Sequence, residues 1–364
     1  MHIGFRVDAS LQIGSGHVVR CLTLADALRT RGARCTFVCR EQDGNLLSLI
    51  KQRGHAALSL PVIDSVIDVP VDLAHSAWLR TSWNIDAVQT QQALFGQSID
   101  WLVVDHYALD CRWEQDMRGL CNKILVIDDL ADRPHDCNLL LDQNLGRTSQ
   151  DYLGLLIQNS EVLIGPRYAL LRPEFEQWRA KSLIRRAKGE FKHLLITLGG
   201  VDNDNVTGKV LSELKKSKLS TELHITVVMG ATAPWQAKVQ DQAKQMPWPT
   251  NVLVGVSNMA ELMAKSSLAI GAAGSTAWER CSLGLPTLMV VLAENQTHGA
   301  NALQNSGAAL LMKSINDIPK ILDTYQISGS MGENLKKMSE IAAGITDGQG
   351  TNYIADKMIG IIYD

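Results

Sequence analysis

The feature that most limits what this chain can fold into is a series of short apolar runs without polar alternation. In the first half they are IGFRV (3–7), CTFVC (35–39), WLVVD (101–105), KILVID (123–128), NLLLD (138–142) and EVLIG (161–165). The second half has HLLITL (193–198), HITVVM (224–229), NVLV (251–254), SLAIG (267–271) and TLMVV (287–291). A strand with no polar face must be buried on both, as in a parallel sheet. Helical patterns separate the runs. In the first of them Val18, Leu22, Ala25 and Leu28 share one face, and Arg31-Gly32 supplies the stop. The alternation occurs twice, with a break near 166–190 that holds Pro166, Pro173 and a basic run. It predicts an α/β chain of two doubly wound domains, 1–165 and 191–348, joined by a linker over 166–190. The length of 364 residues suits two cores of roughly 150–180 residues each. The last segment, 349–364, carries Ile354, Met358 and Ile361 on one side of a helix. It either completes the second domain or crosses back to the first.

Charge and cysteine usage narrow the partners. A net charge of −3 offers no global field for nucleic acid or an anionic membrane. Six basic residues cluster in RAKSLIRRAKGEFK (179–192), where they read as a solvated linker. Seven cysteines show no paired framework, and several lie in apolar runs as buried thiols do, which suits a reducing compartment. No apolar run reaches the roughly 18–20 residues of a membrane span, and Met1-His2 leads straight into a strand. The expectation is a cytoplasmic protein with a small-molecule substrate, without nucleic-acid or membrane partners, whose oligomeric state is not legible.

Parallel α/β sheets bind ligands at the carboxyl ends of their strands, and two such domains place the site in the cleft between them. The loops to consider are SLQIGSGH (10–17), HYALD (106–110), DDLADRPHDC (128–137), GGVDNDN (199–205), GVSNM (255–259), GAAGSTAWE (271–279) and AENQ (293–296). Their small, amide-bearing and acidic residues suit hydroxyls and phosphates. GSGHVVR departs from the dinucleotide fingerprint. Arg20 stands where the third glycine belongs, the turn does not directly follow the strand, and Glu41 fits the ribose acid only loosely. No GxxxxGK[ST] loop occurs. His106, Asp105, Asp128, Asp129 and His135 lack metal-ligand spacing, and the acids read as strand-end and turn residues. No cofactor and no metal are expected.

GAAGSTAWE admits two readings. A strand ends at Gly271, small residues turn, and Ser275 and Thr276 open a helix that Gly284 and Pro286 close. Amides at that helix start, with two hydroxyls, suit a diphosphate, and Glu279 one turn later suits ribose hydroxyls. Alternatively Ser275 or Thr276 is an N-cap with Glu279 as its capping-box partner.

GAAGSTAWERCSLGLP followed by LAENQ resembles the nucleotide-sugar half of GT-B glycosyltransferases, notably the UDP-GlcNAc transferase of peptidoglycan synthesis. RVDASLQIGSGHVVRC (6–21), VDHYALD (104–110), IDDLADRPHDCNLLLDQN (127–144), GPRYALLRPEF (165–175) and GGVDNDN are more particular. In that order they resemble the UDP-2,4-diacetamido-2,4,6-trideoxy-β-L-altropyranose hydrolases of pseudaminic acid biosynthesis, from residue 3 to about 300. The resemblance implies a GT-B-like fold of two Rossmann-like domains facing across a cleft, and a metal-independent, inverting hydrolase of a UDP-sugar. It implies His17 as the base that activates water, Ser275 and Thr276 as diphosphate contacts, and Glu279 as the ribose acid. Val256 falls where main-chain groups recognise uracil, while Asn205, Asn295 and Gln296 fall at substrate contacts. Tyr107 falls in the first-domain wall near the sugar. Ala273 departs from the family pattern, standing where a second glycine is expected, and its methyl group would tighten the diphosphate turn.

Placed in that role, His17 sits sensibly. Gly14 and Gly16 let the backbone pass close to a sugar, and the partial positive charge of a helix start favours a neutral imidazole. Asp8, which ends the first strand, is either the orienter of His17 or a turn residue. Three rivals share the fold: a transferase to an acceptor, a non-catalytic UDP-sugar sensor, and a hydrolysing 2-epimerase, for which no set of acids can be assigned. A lipid-directed transferase would carry an apolar or basic patch, which VIDSVIDVPVDLAHSAW (62–78) does not supply. The shapes of loops 62–80 and 106–110 would set sugar stereochemistry.

Overall fold

The computed structural model describes residues 1–63, 73–157 and 159–363, so part of the 62–80 loop lies outside the described residues. The chain forms two units, one of Met1–Leu170 with Gln349–Asp364 and one of Leu171–Gly348.

The first unit holds β1 (His2–Val7), α1 (Gly16–Thr30), β2 (Arg34–Arg40), α2 (Leu47–Gln52), β3 (Ala56–Leu60), α3 (Trp83–Ala93), β4 (Ile99–Asp105), α4 (Cys111–Met117), β5 (Cys121–Ile127), β6 (Leu139–Asp142) and β7 (Glu161–Ile164). All seven strands are parallel, in the order β3-β2-β1-β4-β5-β6-β7. The second unit begins with α5 (Pro173–Arg186), β8 (His193–Thr197), α6 (Val206–Leu214), β9 (His224–Met229), α7 (Gln236–Ala243), β10 (Thr250–Val254) and α8 (Met259–Lys265). It continues with β11 (Leu268–Ala272), α9 (Thr276–Ser282), β12 (Thr287–Val290), α10 (Thr297–Ser306), β13 (Leu310–Leu311), α11 (Ile318–Ile327) and α12 (Met331–Ile345). Its parallel order is β10-β9-β8-β11-β12-β13. Most of the expected non-alternating strands have both faces covered, every residue of β1, β6 and β11 being buried, while β7 and β10 are edge strands with partly exposed residues. Strands β3 and β13 were not expected. Both lie at sheet edges, and their partial exposure dilutes the apolar signal.

The basic run is solvated at Lys181, Arg185, Lys188 and Lys192 but is not a linker. Most of it lies in α5, which starts at Pro173, carries Glu174 and Glu176 in its first turn, and ends on Arg185 and Arg186. Arg186 is buried and donates to the carbonyls of Met263, Ser266 and Leu283 at 2.7–2.9 Å. Arg179 reaches those of Ala343 and Thr346. These carbonyls sit at the carboxyl ends of α8, α9 and α12, where partial negative charge and unpaired acceptors collect. Helix ends, rather than water, receive these cations.

The last helix, α13 (Gly350–Tyr363), belongs to the first unit. Ile354, Ala355 and Met358 are fully buried in the cluster that contains Ile3, Phe5, Trp101 and Val103. The Trp101 indole N–H donates to the Met358 carbonyl at 3.2 Å. The side chain of Ile361 lies outside the described residues. Met358→Ala is expected to lower the opening free energy of β1 and β4 amides by about 2–5 kcal/mol. Hydrogen exchange reads this directly, and unchanged protection would show that α13 does not support the first core.

Candidate functional site

Strand order reverses between β1 and β4 in the first unit and between β8 and β11 in the second. Ligand loops of doubly wound sheets gather at such switch points. In the first unit the loop after β1 is held by Ser10, whose carbonyl accepts from Gly14 N–H (2.8 Å) and whose hydroxyl accepts from Ile13 N–H (3.0 Å). Gly14 has φ +81°, a conformation that favours glycine. Gly16 is the first residue of α1, and His17 follows it.

His17 Nδ1 lies 2.6 Å from Asp105 Oδ1, at the end of β4. Arg20, one turn along α1, donates Nε to Asp105 Oδ2 and Nη2 to Oδ1, both at 2.6 Å, and Nη1 to Asp129 Oδ2 at 2.6 Å. Burial opposes the charge on Asp105, but Arg20 and then His17 outweigh it and hold the carboxyl well below its usual range. An ionised carboxylate only accepts, so Nδ1 carries a hydrogen, and in the neutral ring the lone pair is therefore on Nε2. Arg20 Nη2 also approaches Nδ1, at 3.3 Å, but the 2.6 Å contact with the carboxylate is the shorter and decides the tautomer. Asp8 is not the orienter of His17. It pairs with Arg6 at 2.7 and 2.9 Å and accepts from Arg40 N–H, while His106 lies 3.3 Å away. Residues two apart on a strand share a face, and Arg6 therefore claims Asp8.

Tyr107 is buried, and its ring meets His17 edge-on at 4.7 Å and stacks on Trp78 at 5.5 Å. His75 completes the cluster, 4.4 Å from Trp78 and 5.3 Å from Tyr107. The Tyr107 hydroxyl donates to Asp129 (2.7 Å), so the residue contributes its ring and not its hydroxyl. Behind Asp129 the Tyr152 hydroxyl lies 3.1 Å from Asp128 and 3.0 Å from Asp142. Burial and then the Asp129 charge push Asp142 up to about 7. Among the described residues no group of three His, Cys, Asp or Glu is placed to hold a metal ion.

In the second unit Ser275 is exposed and precedes α9 without a side-chain cap bond, so the capping box is not formed. Thr276 Oγ1 accepts from Arg280 at 3.2 Å. Glu279 faces Arg172 at 3.7 Å, and burial lifts its carboxyl above the ordinary range while Arg172 partly counters. Ala273 donates its N–H to the Val290 carbonyl (3.0 Å) and is not left-handed, so the methyl group imposes no backbone strain. Gln296 accepts from Leu292 N–H, and its Nε2 stands 3.6 Å from where a Cβ on Gly274 would lie. Asn295 is exposed on the same short turn. Asn205 is left-handed (φ +51°) and caps α6, its carboxamide oxygen accepting from Gly208 N–H, so that oxygen is spent on the helix. Val256 follows Gly255, whose N–H donates to the carbonyl of Met229, the last residue of β9. Gly14, Gly16, His17 and Tyr107 thus gather in one unit, and Ser275, Thr276, Glu279 and Gln296 in the other. Asp105, Arg20, Trp78 and Arg280 escaped the sequence reading as site residues. Two of them had a signal, since Arg20 is three residues from His17 and Arg280 four from Thr276, spacings that share a helix face.

Two outcomes are expected. In Asp105→Asn the carboxamide can donate to Nδ1, and the imidazole hydrogen moves to Nε2; nitrogen-detected imidazole NMR reads the tautomer, and an unchanged one would refute the orienting role. Asp142 binds its proton more tightly folded than unfolded, so its stabilisation is full below about pH 4 and is lost as pH rises through about 7. Asp142→Asn should shrink the fall in Tm between about pH 5 and 8 by about 3–6 °C in thermal melts. A pH profile that keeps its slope would show that Asp142 is not the group responsible.

Residues 193–348 match the glycosyltransferase family 28 C-terminal domain. A UDP-2,4-diacetamido-2,4,6-trideoxy-β-L-altropyranose hydrolase of Campylobacter jejuni is 28% identical over 84% of this chain and 97% of its own length. The spore coat polysaccharide biosynthesis protein SpsG of Bacillus subtilis is 27% identical over 96% of this chain and 95% of its own. An uncharacterized protein of Methanocaldococcus jannaschii is 25% identical over 81% of this chain, which spans 56% of that relative. Among solved structures, Acinetobacter baumannii MurG superposes with a TM-score of 0.68 at 16% identity, covering 99% of each chain. No helix among the described residues is long and apolar enough to cross a membrane. The chain therefore has the GT-B fold of two Rossmann-like α/β units, its second unit matches the glycosyltransferase family 28 C-terminal domain, and along most of its length it resembles the UDP-diacetamido-trideoxy-altropyranose hydrolases.

Proposed function

We propose that the protein hydrolyses UDP-2,4-diacetamido-2,4,6-trideoxy-β-L-altropyranose to UDP and the free sugar. The observation that carries this reading is the His17–Asp105 pair, an imidazole whose tautomer leaves Nε2 ready to take a proton. A general base of this kind contributes about 10²–10⁴-fold. Water gives its proton to Nε2 as its oxygen bonds to the anomeric carbon; the bond from that carbon to the diphosphate oxygen breaks, and UDP leaves with the electron pair. Attack from the face opposite the diphosphate inverts the centre. UDP is a good leaving group and calls for no strong acid, and the reading invokes neither metal nor cofactor.

Each unit has its own task in this proposal. The second unit holds the nucleotide, with Ser275 and Thr276 at the diphosphate, Glu279 at the ribose and the main chain of Val256 at the uracil. Asn295 and Gln296 contribute further contacts. Asn205 contributes its carboxamide nitrogen, since its oxygen caps α6. In the first unit Gly14 and Gly16 give the sugar room, and the rings of Tyr107 and Trp78 flank the base. A cytoplasmic place of action is part of the proposal and is supported by the seven cysteines, all free and buried.

The family 28 domain also favours a second reading, transfer of the UDP-linked amino sugar to an acceptor. A time course of UDP release in EDTA without acceptor separates the two. The wild type is expected to release UDP and free sugar, and His17→Asn to lose about 10²–10⁴-fold in rate while still binding UDP. Binding without release in the wild type would rule out the hydrolase and leave the transferase or a UDP-sugar sensor.

A further inference from the structure

Arg280 is buried, 1% exposed, beneath the 271–276 turn of the second unit. Its Nη2 donates to the Ala272 carbonyl at 2.6 Å and its Nη1 to Thr276 Oγ1 at 3.2 Å. Its Nε is buried without a hydrogen-bond partner among the described residues. Arg40 Nε is likewise without a partner, but that guanidinium has Asp86 at 2.6 Å, and other buried guanidinium groups among the described residues are also answered. Arg6 has Asp8 and Asp86, Arg20 has Asp105 and Asp129, and Arg133 has Asp128. Arg186 lacks an acid but donates to three carbonyls. Arg280 has neither a carboxylate within 4.0 Å among the described residues nor a full set of acceptors, and the neighbouring Glu279 offsets its charge only in part, from a longer distance, burial still outweighing it. The turn is nevertheless shaped to admit it: a Cβ on Gly271 would lie 2.7 Å from its Nη1 and 2.9 Å from its Cζ. Burying an unneutralised cation is unfavourable unless something balances it.

We propose that Arg280 is a positioning residue for the diphosphate of a nucleoside diphosphate, acting through the hydroxyl of Thr276 and through its own unbalanced charge. This rests on the nucleotide assignment above. A hydroxyl has one hydrogen and two lone pairs. With one lone pair taken by a guanidinium N–H, the Thr276 hydrogen turns to another acceptor, and the bond it donates is strengthened by the cation behind it. A phosphate oxygen at the turn meets that hydrogen and supplies the missing negative charge. Burial lowers the Arg280 guanidinium to about 10, which leaves it charged at neutral pH. The discrimination this creates is between ligands with and without phosphate, the nucleoside itself being recognised elsewhere.

Titration calorimetry of the full chain with UDP and with uridine tests the proposal, using wild type, R280Q, R280K, T276V and the R280Q/T276V double variant. R280Q is expected to weaken UDP roughly 10–100-fold and to leave uridine within about twofold, the scale of one charge-assisted hydrogen bond. R280K, which keeps the charge, is expected to recover part of that loss. T276V should lose part of it, and the double variant no more than R280Q alone, because the two residues act in series. Equal UDP affinity in wild type and R280Q overturns the proposal, and so does an equal loss of UDP and uridine. Should R280Q fail to fold, T276V decides, an undiminished preference for UDP over uridine being the refuting result. A wild type that binds no UDP overturns the nucleotide assignment and the role of Arg280 with it.

Discussion

Asp105 is fully buried at the end of β4 and still carries its charge, because Arg20 presents two donors to it at once. A buried carboxylate without such a partner would take up a proton and, as a neutral acid, place a competing hydrogen beside His17. The fork of Arg20 prevents this and still leaves a lone pair of Asp105 for the imidazole. The third donor of the same guanidinium holds Asp129, which fixes Tyr107 and hence the ring that faces His17. One side chain in the second turn of α1 therefore sets the ionisation of an acid, the tautomer of an imidazole and the wall beside it. These groups form a unit, and substitutions among them should not add.

The two switch points are opposite in electrostatic character. That of the first unit is lined with acids whose cations are already paired, a setting that repels phosphate and suits a base acting on neutral water and hydroxyls. The second is built from small residues over a cation with no carboxylate in contact and only the more distant Glu279 to offset it, which suits an anion. A nucleotide sugar divides along the same line, with its charge on the diphosphate and its neutral, hydroxyl- and amide-bearing part on the sugar. The division of labour proposed for the units follows from their charge as much as from their folds.

Most of the architecture was legible because parallel strands covered on both faces announce themselves without alternation. What was lost was lost at the edges, where β3 and β13 read as ordinary loops, while the edge strands β7 and β10 kept enough Val, Leu and Ile to be legible. Arg179 and Arg186 of α5 were misread for a different reason, since composition treats a basic run as hydrated and cannot show that helix ends will receive two of its guanidinium groups. His17 stood out by its place after a glycine turn, but its partner did not. Asp8 was the nearer acid in sequence, and only the adjacency of β1 and β4 brings Asp105 alongside. The pairing of Arg6 with Asp8 was open to inspection, two residues apart on one strand, and would have removed Asp8 from consideration.

The placement of α13 in the first unit means that the second is, in chain terms, an insertion within the first. During synthesis the residues that close the cluster around Trp101 emerge only after residues 171–348 have been made, roughly 10–40 s after Leu170 at ordinary elongation rates. Until then the α13-facing side of Trp101 and its neighbours is without its final cover, while the second unit already has all of its own sequence. The order of maturation runs against the order of translation: the unit begun first is the one completed last.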